Sequence, residues 1–264
     1  MNKKIAIIGG GNLGTAIAEG LVKSGFTLPE HIMVTKRNIA PIRYLEDKGI
    51  LVGDDNREAV RYANLVILAV KPFQLADVIN GIKNDLTDHH LLLSVVTGVS
   101  LDEILHFTGR KMGVVRAMPN TAIAIQESMT CVCTRNINEE QKEYVNHLFR
   151  QLGRVVTIEE KLMDAATVLG ACGIAYALRF IRANIQGGIE IGFDAATATL
   201  IASQTVKGAA ELLIQTGRHP EQEIDKVTTP KGCTIAGLNE MEHQGFSSSL
   251  IKGIVASFDK INKP

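Results

Sequence analysis

The spacing of hydrophobic and polar positions changes once along the chain. Up to about residue 160, short β-branched apolar runs alternate with amphipathic stretches. The runs at 5–8, 32–35, 65–70, 91–95, 114–116 and 130–134 predict strands. The stretches at 13–24, 39–48, 56–62, 75–84 and 101–107 predict the helices between them. Ser100-Leu101-Asp102-Glu103 has the spacing of a capping box, and Asn138-Glu139-Glu140-Gln141 repeats it before a helix running to 151. Such alternation implies an α/β Rossmann-type domain: a mostly parallel, doubly wound sheet with helices on both faces.

Beyond residue 160 strand signals stop and Ala, Gly and Leu dominate. Helices are expected over 162–191, 195–216, 220–226, 234–243 and 249–261, the first with a bend near Gly170 or Gly173. The chain therefore divides into an α/β domain over 1–160 and an all-α domain over 161–264. Small residues such as Ala165, Ala166, Gly170, Ala198 and Ala202 let helices approach closely. So apolar a helical half needs covering, which points to a homodimer through this domain. The apolar run 165–178, bounded by Asp164 and Arg179, is shorter than a bilayer span and reads as a buried helix.

Composition narrows the partners. The 264 residues balance 28 Lys+Arg against 28 Asp+Glu, so no overall field favours nucleic acid or an anionic membrane. Recognition of a small molecule must then be local. Cys131 and Cys133 stand two apart on an expected strand and face one core. With Cys172 and Cys233 they read as reduced thiols, and no metal site is expected. The N-terminal Met1-Asn2-Lys3-Lys4 runs straight into the first strand without a signal core, so a cytoplasmic protein is expected.

Gly9-Gly10-Gly11-Asn12-Leu13-Gly14 fits G-x-G-x-x-G after a strand and at the opening of a helix. Gly9 permits the tight turn, Gly11 lets backbone approach a pyrophosphate, and Gly14 allows close helix–strand packing. The helix N-terminus at Asn12 and Leu13 offers free N–H groups to the phosphates. The second strand ends Val34-Thr35-Lys36-Arg37-Asn38, without the acid that binds the ribose of NAD. Thr35, Lys36 and Arg37 suit a 2′-phosphate instead, which predicts NADPH, with NADH still possible. The plainer reading of Lys36 and Arg37 is solvated loop charge.

Three further segments carry a family likeness. Ala69-Val70-Lys71-Pro72, Arg116-Ala117-Met118-Pro119-Asn120-Thr121, and Thr228-Thr229-Pro230-Lys231-Gly232-Cys233-Thr234-Ile235-Ala236-Gly237-Leu238 together resemble pyrroline-5-carboxylate reductases, in order and spacing along nearly the whole chain. The resemblance implies proline synthesis by NADPH-dependent reduction of a cyclic imino acid, and dimers that assemble further, often into decamers. It implies that Asn56 contacts the adenosine side of the coenzyme. Ala69, Val70, Lys71 and Pro72 would line the nicotinamide ribose, and Val96, Thr97 and Gly98 the nicotinamide ring. Residues 229–234 would hold the substrate. Two departures stand out. The family's Ser-Pro-Gly-Gly-x-Thr loop has Thr229 for the serine and Lys231 for the first glycine. Its Gly-Ser-Gly-Pro-Ala-Tyr segment has lost the proline in Gly170-Ala171-Cys172-Gly173-Ile174-Ala175-Tyr176, a change that would straighten a helix start.

The substrate carries a carboxylate and an imine. Backbone N–H groups of the turn through Lys231, Gly232 and Cys233 suit the anion. Thr229 and Thr234 keep their hydroxyls and are the expected catalytic pair, Thr234 toward the imine nitrogen or the carboxylate. Thr234 also suits a helix N-cap, and Lys231 an exposed loop charge. His219, before Pro220, reads as structural, and Glu221, Glu223 and Asp225 as a solvated face. No strong protein acid is assigned. Rival readings are a reductase of a related cyclic imine, or a non-catalytic NADPH-binding sensor; the hydroxyl-bearing loop argues against the sensor. A 3-hydroxyacid enzyme needs a lysine inside the connecting helix, and the lysine here is Lys161, at the very start of that helix.

Overall fold

The structure, a computed structural model, describes residues 3–262. It separates into two compact units, Met1–Cys172 and Gly173–Pro264.

In the first unit eight strands form one sheet: β1 (Ile5–Ile8), β2 (Ile32–Thr35), β3 (Leu51–Gly53), β4 (Leu65–Leu68), β5 (Leu91–Ser94), β6 (Gly113–Met118), β7 (Ser128–Arg135) and β8 (Gly153–Thr157). Their order is β3-β2-β1-β4-β5-β6-β7-β8, and only β6 and β7 pair antiparallel. Five of the strands are buried along their full length, which is why they read as unbroken apolar runs rather than alternating ones. Alternate residues feed two cores. Ile5, Ile7 and Val34 pack with α1 (Asn12–Lys23) on one face. Ala6, Ile8 and Val66 pack on the other with α2 (Asn56–Tyr62), α3 (Leu75–Ile82) and α4 (Leu101–Thr108). A fifth helix, α5 (Glu139–Arg150), adds Tyr144, Leu148 and Phe149 to the first core. Both expected capping boxes form, at Ser100 and Asn138, each stabilising its helix by about 1 kcal/mol.

Strands β3 and β8 were not expected. β3 has three residues and ends in glycine, and β8 carries Arg154 on a partly exposed edge, so neither shows an apolar run. The helix expected at 39–48 is a 3-10 segment, Ala40–Lys48, closed by left-handed Gly49. Its buried residues, Ile42 and Leu45, are three apart, the 3-10 repeat. The helix expected at 162–191 is broken. A 3-10 turn (Glu160–Leu162) leads to α6 (Met163–Ala166), a π-helical turn (Thr167–Cys172) and α7 (Gly173–Glu190). The wide turn coincides with the expected bend, so loss of the proline has not straightened this segment. Asn120 Nδ2 donates to the Gly170 carbonyl at 3.2 Å, satisfying an acceptor at the irregular turn.

The second unit continues with α8 (Ala195–Thr216), α9 (Pro220–Lys226), α10 (Cys233–His243) and α11 (Phe246–Asn262). Asp194 caps α8 by accepting from Ala196 and Thr197. α7 and α8 approach closely at Gly188, where a Cβ would lie 3.2 Å from that of Ala198. Tyr176 and Ser257 share a 2.6 Å hydrogen bond between α7 and α11. The buried helix expected here is instead largely exposed in the single chain: Ile185 is the one buried residue of α7. The stretch Glu160–Glu190 reaches a mean hydropathy of 1.4 and, by length and composition alone, the dimensions of a membrane span. The run 165–178 by itself does not.

Candidate coenzyme and substrate sites

The β-strand order reverses direction of growth between β1 and β4, and the carboxyl ends of the strands beside that point carry the glycine turn. Gly9 takes φ +115°, and a Cβ there would sit 2.4 Å from the Ala69 carbonyl oxygen. Gly14 leaves no room either, its Cβ lying 2.1 Å from the Gly9 carbonyl oxygen. Gly11 differs: its Cβ would meet nothing within 4 Å. Packing thus demands the first and third glycines, while the second faces open space. Gly11 is the N-cap of α1, with no side-chain cap and no acid in the first turn. The N–H groups of Asn12 and Leu13 therefore stand at the positive end of the helix without a carboxylate to answer them. This cradle fits the pyrophosphate of a dinucleotide.

The end of β2 closes on the turn. Gly9 and Gly10 donate to the Thr35 carbonyl at 3.1 and 2.8 Å. The buried Thr35 hydroxyl donates to Asn56 Oδ1 at 2.6 Å, so two residues singled out separately are joined. Lys36 is half-buried and Arg37 exposed, and neither side chain has a hydrogen-bond or ion-pair partner among the described residues. Two unanswered cations beside the turn fit a 2′-phosphate. On the other side, Ala69 donates to the Ile8 carbonyl at 2.8 Å and Val70 packs beside Gly9. Lys71 and Pro72 are exposed where the chain leaves β4. After β5, Val96 is buried, while Thr97 and left-handed Gly98 are exposed. The coenzyme candidates thus gather at the carboxyl ends of β1, β2, β4 and β5.

The substrate candidates lie in the second unit. Gly232 N–H donates to the Thr229 carbonyl at 2.9 Å, closing a turn with Pro230 and Lys231 at its centre. Lys231 has φ +59°, the left-handed conformation normally given to glycine at the third position of such a turn. Proline ahead of it presets the turn. A Cβ on Gly232 would lie 2.5 Å from the Thr229 hydroxyl. The N-cap of α10 is Gly232, not Thr234. Thr234 stands inside the first turn, half-buried, and its hydroxyl has no partner among the described residues. That removes the capping alternative and leaves the hydroxyl available. Cys233 and Lys231 are exposed. His219 is structural, its Nδ1 accepting from Glu221 N–H as the cap of α9. Glu223 bonds Lys226 at 2.6 Å and Arg218 at 3.3 Å, and these bonds, Lys226 first, hold its carboxyl below the usual range.

One cluster escaped the sequence reading. Arg116 sits in β6 with its side chain 5 % exposed, 3.1 Å from Asp164 and 3.8 Å from Glu160. Glu160 also pairs with Arg135 at 3.4 Å and accepts from Leu101 N–H at 2.6 Å. Arg135 bonds Asp102 as well. Burial pushes the neighbouring Cys133 thiol up to about 11. The available signal was an arginine inside the apolar run of β6; its partners lie 44 or more residues on and leave no local trace.

Residues 160–263 match a family model described as pyrroline-5-carboxylate reductase dimerisation, and residues 4–98 one described as NADP oxidoreductase coenzyme F420-dependent. The chain is 43% identical to pyrroline-5-carboxylate reductase 2 of Dictyostelium discoideum over 278 residues, covering 99% of this chain and 93% of that protein. It is 47% identical to pyrroline-5-carboxylate reductase 1 of the same organism over 97% of its own length, yet spans only 49% of that protein. The crystal structure of Plasmodium falciparum pyrroline carboxylate reductase with NADP bound superposes with a TM-score of 0.90 at 28% identity, covering 98% of this chain and 97% of that one.

Proposed function

The chain belongs to the pyrroline-5-carboxylate reductase family, and from that premise we propose that it reduces 1-pyrroline-5-carboxylate to L-proline, with NADPH preferred over NADH. It is an NAD(P)H-dependent oxidoreductase acting on an imine. When bound, the coenzyme supplies the hydride for the imine carbon, and a proton completes the amine. Everything else is placement. Gly11, Asn12 and Leu13 would hold the pyrophosphate, and Lys36 and Arg37 the 2′-phosphate. Thr35 and Asn56 would meet the adenosine side. Ala69, Val70, Lys71 and Pro72 would line the nicotinamide ribose, with Val96, Thr97 and Gly98 beside the ring.

The turn 229–232 and the first N–H groups of α10 would grip the substrate carboxylate. Thr234 would hold the imine nitrogen or the carboxylate through its hydroxyl, with Thr229 shaping the turn and Lys231, Gly232 and Cys233 contributing backbone. What carries the reading is the contrast at the glycine turn: Gly9 and Gly14 are required by packing, and Gly11 between them faces open space. The unpartnered Thr234 hydroxyl supports the substrate end.

The functional division we propose is coenzyme binding by 1–160, and substrate binding and self-association by 161–264. Copies associate through the helical half, as the dimerisation match supports. Growth to a decamer and residence in the cytoplasm belong to the same reading. The test is NADPH absorbance with a panel of five- and six-membered cyclic imino acids, run in parallel with NADH. The five-membered imino acid should drive oxidation fastest. A six-membered preference would reassign the substrate to a related imine, and no oxidation with any imine would leave a coenzyme-binding sensor.

A further inference from the structure

The loop between β5 and α4 is tied down from several sides. Val96 N–H donates to Ser94 Oγ at 3.2 Å, and the Thr97 hydroxyl contacts Met118 Sδ at 3.8 Å. Ser100 caps α4 in reciprocal bonds with Glu103. These ties come from residues within the same part of the sheet. One does not: Leu101 N–H, at the first position of α4, donates to Glu160 Oε1 at 2.6 Å across 59 residues. Helix starts leave such N–H groups without internal partners, and the capping box here already satisfies those of Ser100 and Glu103.

Glu160 is itself held. Its Oε1 lies 3.8 Å from Arg116 Nη1, and its Oε2 lies 3.4 Å from Arg135 Nη2. Arg116 is fixed in turn inside β6, whose register sets it beside Ser94 at the end of β5. It reaches Asp164 in the first turn of α6 at 3.1 Å. A carboxylate clamped between two guanidiniums has little rotational freedom. The Leu101 end of the loop is therefore fixed to a rigid frame rather than left to the loop's own stiffness.

We propose that Glu160 is a positioning residue for hydride transfer: its carboxylate, clamped by Arg116 and Arg135, fixes the loop 96–100 through Leu101 N–H and so sets the face against which the nicotinamide lies. The inference rests on the reading above that Val96, Thr97 and Gly98 flank that ring. The partners of Glu160 are Arg116, Arg135 and Leu101 N–H, so on this proposal it acts through the loop and not by contact with coenzyme or substrate. Displacements of about 1 Å at a reacting centre lower rates by up to about a hundredfold without weakening ligand contacts made elsewhere.

The test compares three variants in the full-length enzyme, with NADPH and its 4-deuterated form. Glu160→Ala removes the acceptor. Glu160→Asp keeps the charge for both arginines but is a methylene too short for Leu101. Glu160→Gln keeps an acceptor oxygen at full length. Alanine and aspartate should lower kcat by about tenfold and raise the primary deuterium isotope effect on kcat, with NADPH Kd within about twofold of wild type. Glutamine, which keeps the acceptor for Leu101 but loses the charge that both arginines hold, should fall between alanine and wild type in kcat. Should the alanine variant not fold, the aspartate variant gives the same reading. An aspartate variant with wild-type kcat and isotope effect overturns the proposal. So does a loss of melting temperature and NADPH affinity together with an unchanged isotope effect, which marks a purely structural role. Failure of the wild-type enzyme to oxidise NADPH with any cyclic imine instead overturns the reading on which the proposal rests.

Discussion

Gly11→Ala separates what the fold needs from what the coenzyme needs. Gly11 sits at φ −88° and ψ −174°, ordinary extended backbone that alanine adopts freely. Its Cβ would meet no atom within 4 Å, so the unliganded protein loses only the slight N-cap advantage of glycine, less than about 1 kcal/mol. A pyrophosphate approaching the same N–H groups meets the methyl. Forcing that group into a close contact costs about 1–3 kcal/mol, or about 5- to 150-fold in Kd. Gly14→Ala is the contrast. Its Cβ would fall 2.1 Å from the Gly9 carbonyl oxygen, a backbone atom that cannot rotate away, so the whole turn must shift. The measurements are a thermal melt without ligand and a fluorescence titration with NADPH. Gly11→Ala should melt with wild type and bind weakly; Gly14→Ala should melt early. Wild-type NADPH affinity in Gly11→Ala would sink the reasoning, as would a melting temperature lowered as far as that of Gly14→Ala.

Replacing Lys36 and Arg37 together by alanine should weaken NADPH by about tenfold or more while leaving NADH Kd unchanged, because each charge-assisted bond to a phosphate contributes about 1.5–3 kcal/mol; equal losses for both coenzymes would show the two cations to be solvated loop charges. Thr234→Ala should lower kcat/KM by about tenfold with an unchanged melting temperature, since the hydroxyl bonds nothing in the described chain; unchanged kinetics would remove it from the site. With its thiol pushed up to about 11, Cys133 should be only about one part in a thousand thiolate at pH 8 and should react with a thiol reagent far more slowly folded than unfolded, its native rate rising about tenfold per pH unit below that value; rapid native labelling of Cys133 at pH 8 would contradict its burial. Leu200→Glu on α8, where that side chain is 71 % exposed, should yield a smaller species by light scattering, and an unchanged mass would place the self-association surface elsewhere.

Legibility followed the range of the interactions. β1, β2 and α2 were readable to the residue because each is a short, fully apolar or capped segment whose signal is local. β3 and β8 were not, because edge strands need no apolar run to hydrogen-bond to a neighbour. The 3-10 segment at 40–48 shares its composition with an α-helix and differs only in a three-residue burial repeat. At the coenzyme site the glycines, Lys36 and Arg37 followed from elementary chemistry, whereas the roles of Asn56, Ala69 and Thr97 came from family likeness. The Thr35–Asn56 bond needed coordinates. So did the left-handed Lys231, since no local pattern puts a lysine at a glycine conformation. Its cost of about 1–2 kcal/mol is borne because Pro230 before it and the Gly232–Thr229 bond around it leave the turn no other shape.

The two halves stand on different physics. The first unit buries whole strands between two layers of helices and has apolar cores on both faces of its sheet. The second has a buried cluster of Ile185, Ala198 and Ala202, with Ile181 packed against it. Long helices owe their stability mainly to the burial of an apolar face, and three small or medium side chains cannot offset the ordering of some ninety residues. The missing burial is visible on the surface. Leu178, Ile191, Leu200 and Ile251 are all more than half exposed, and a groove between α7 and α8 is lined by Gly187, Gly188, Ile191, Phe193 and Ala198. The small residues that let α7 and α8 meet at Gly188 also leave this groove open to a neighbouring helix. The match to a dimerisation family over 160–263 points to a second copy of the chain as the cover for these side chains. If that cover is a second copy, folding of residues 173–262 and association form one equilibrium, and the thermal stability of the turn 229–232 should rise with protein concentration while that of the glycine turn should not.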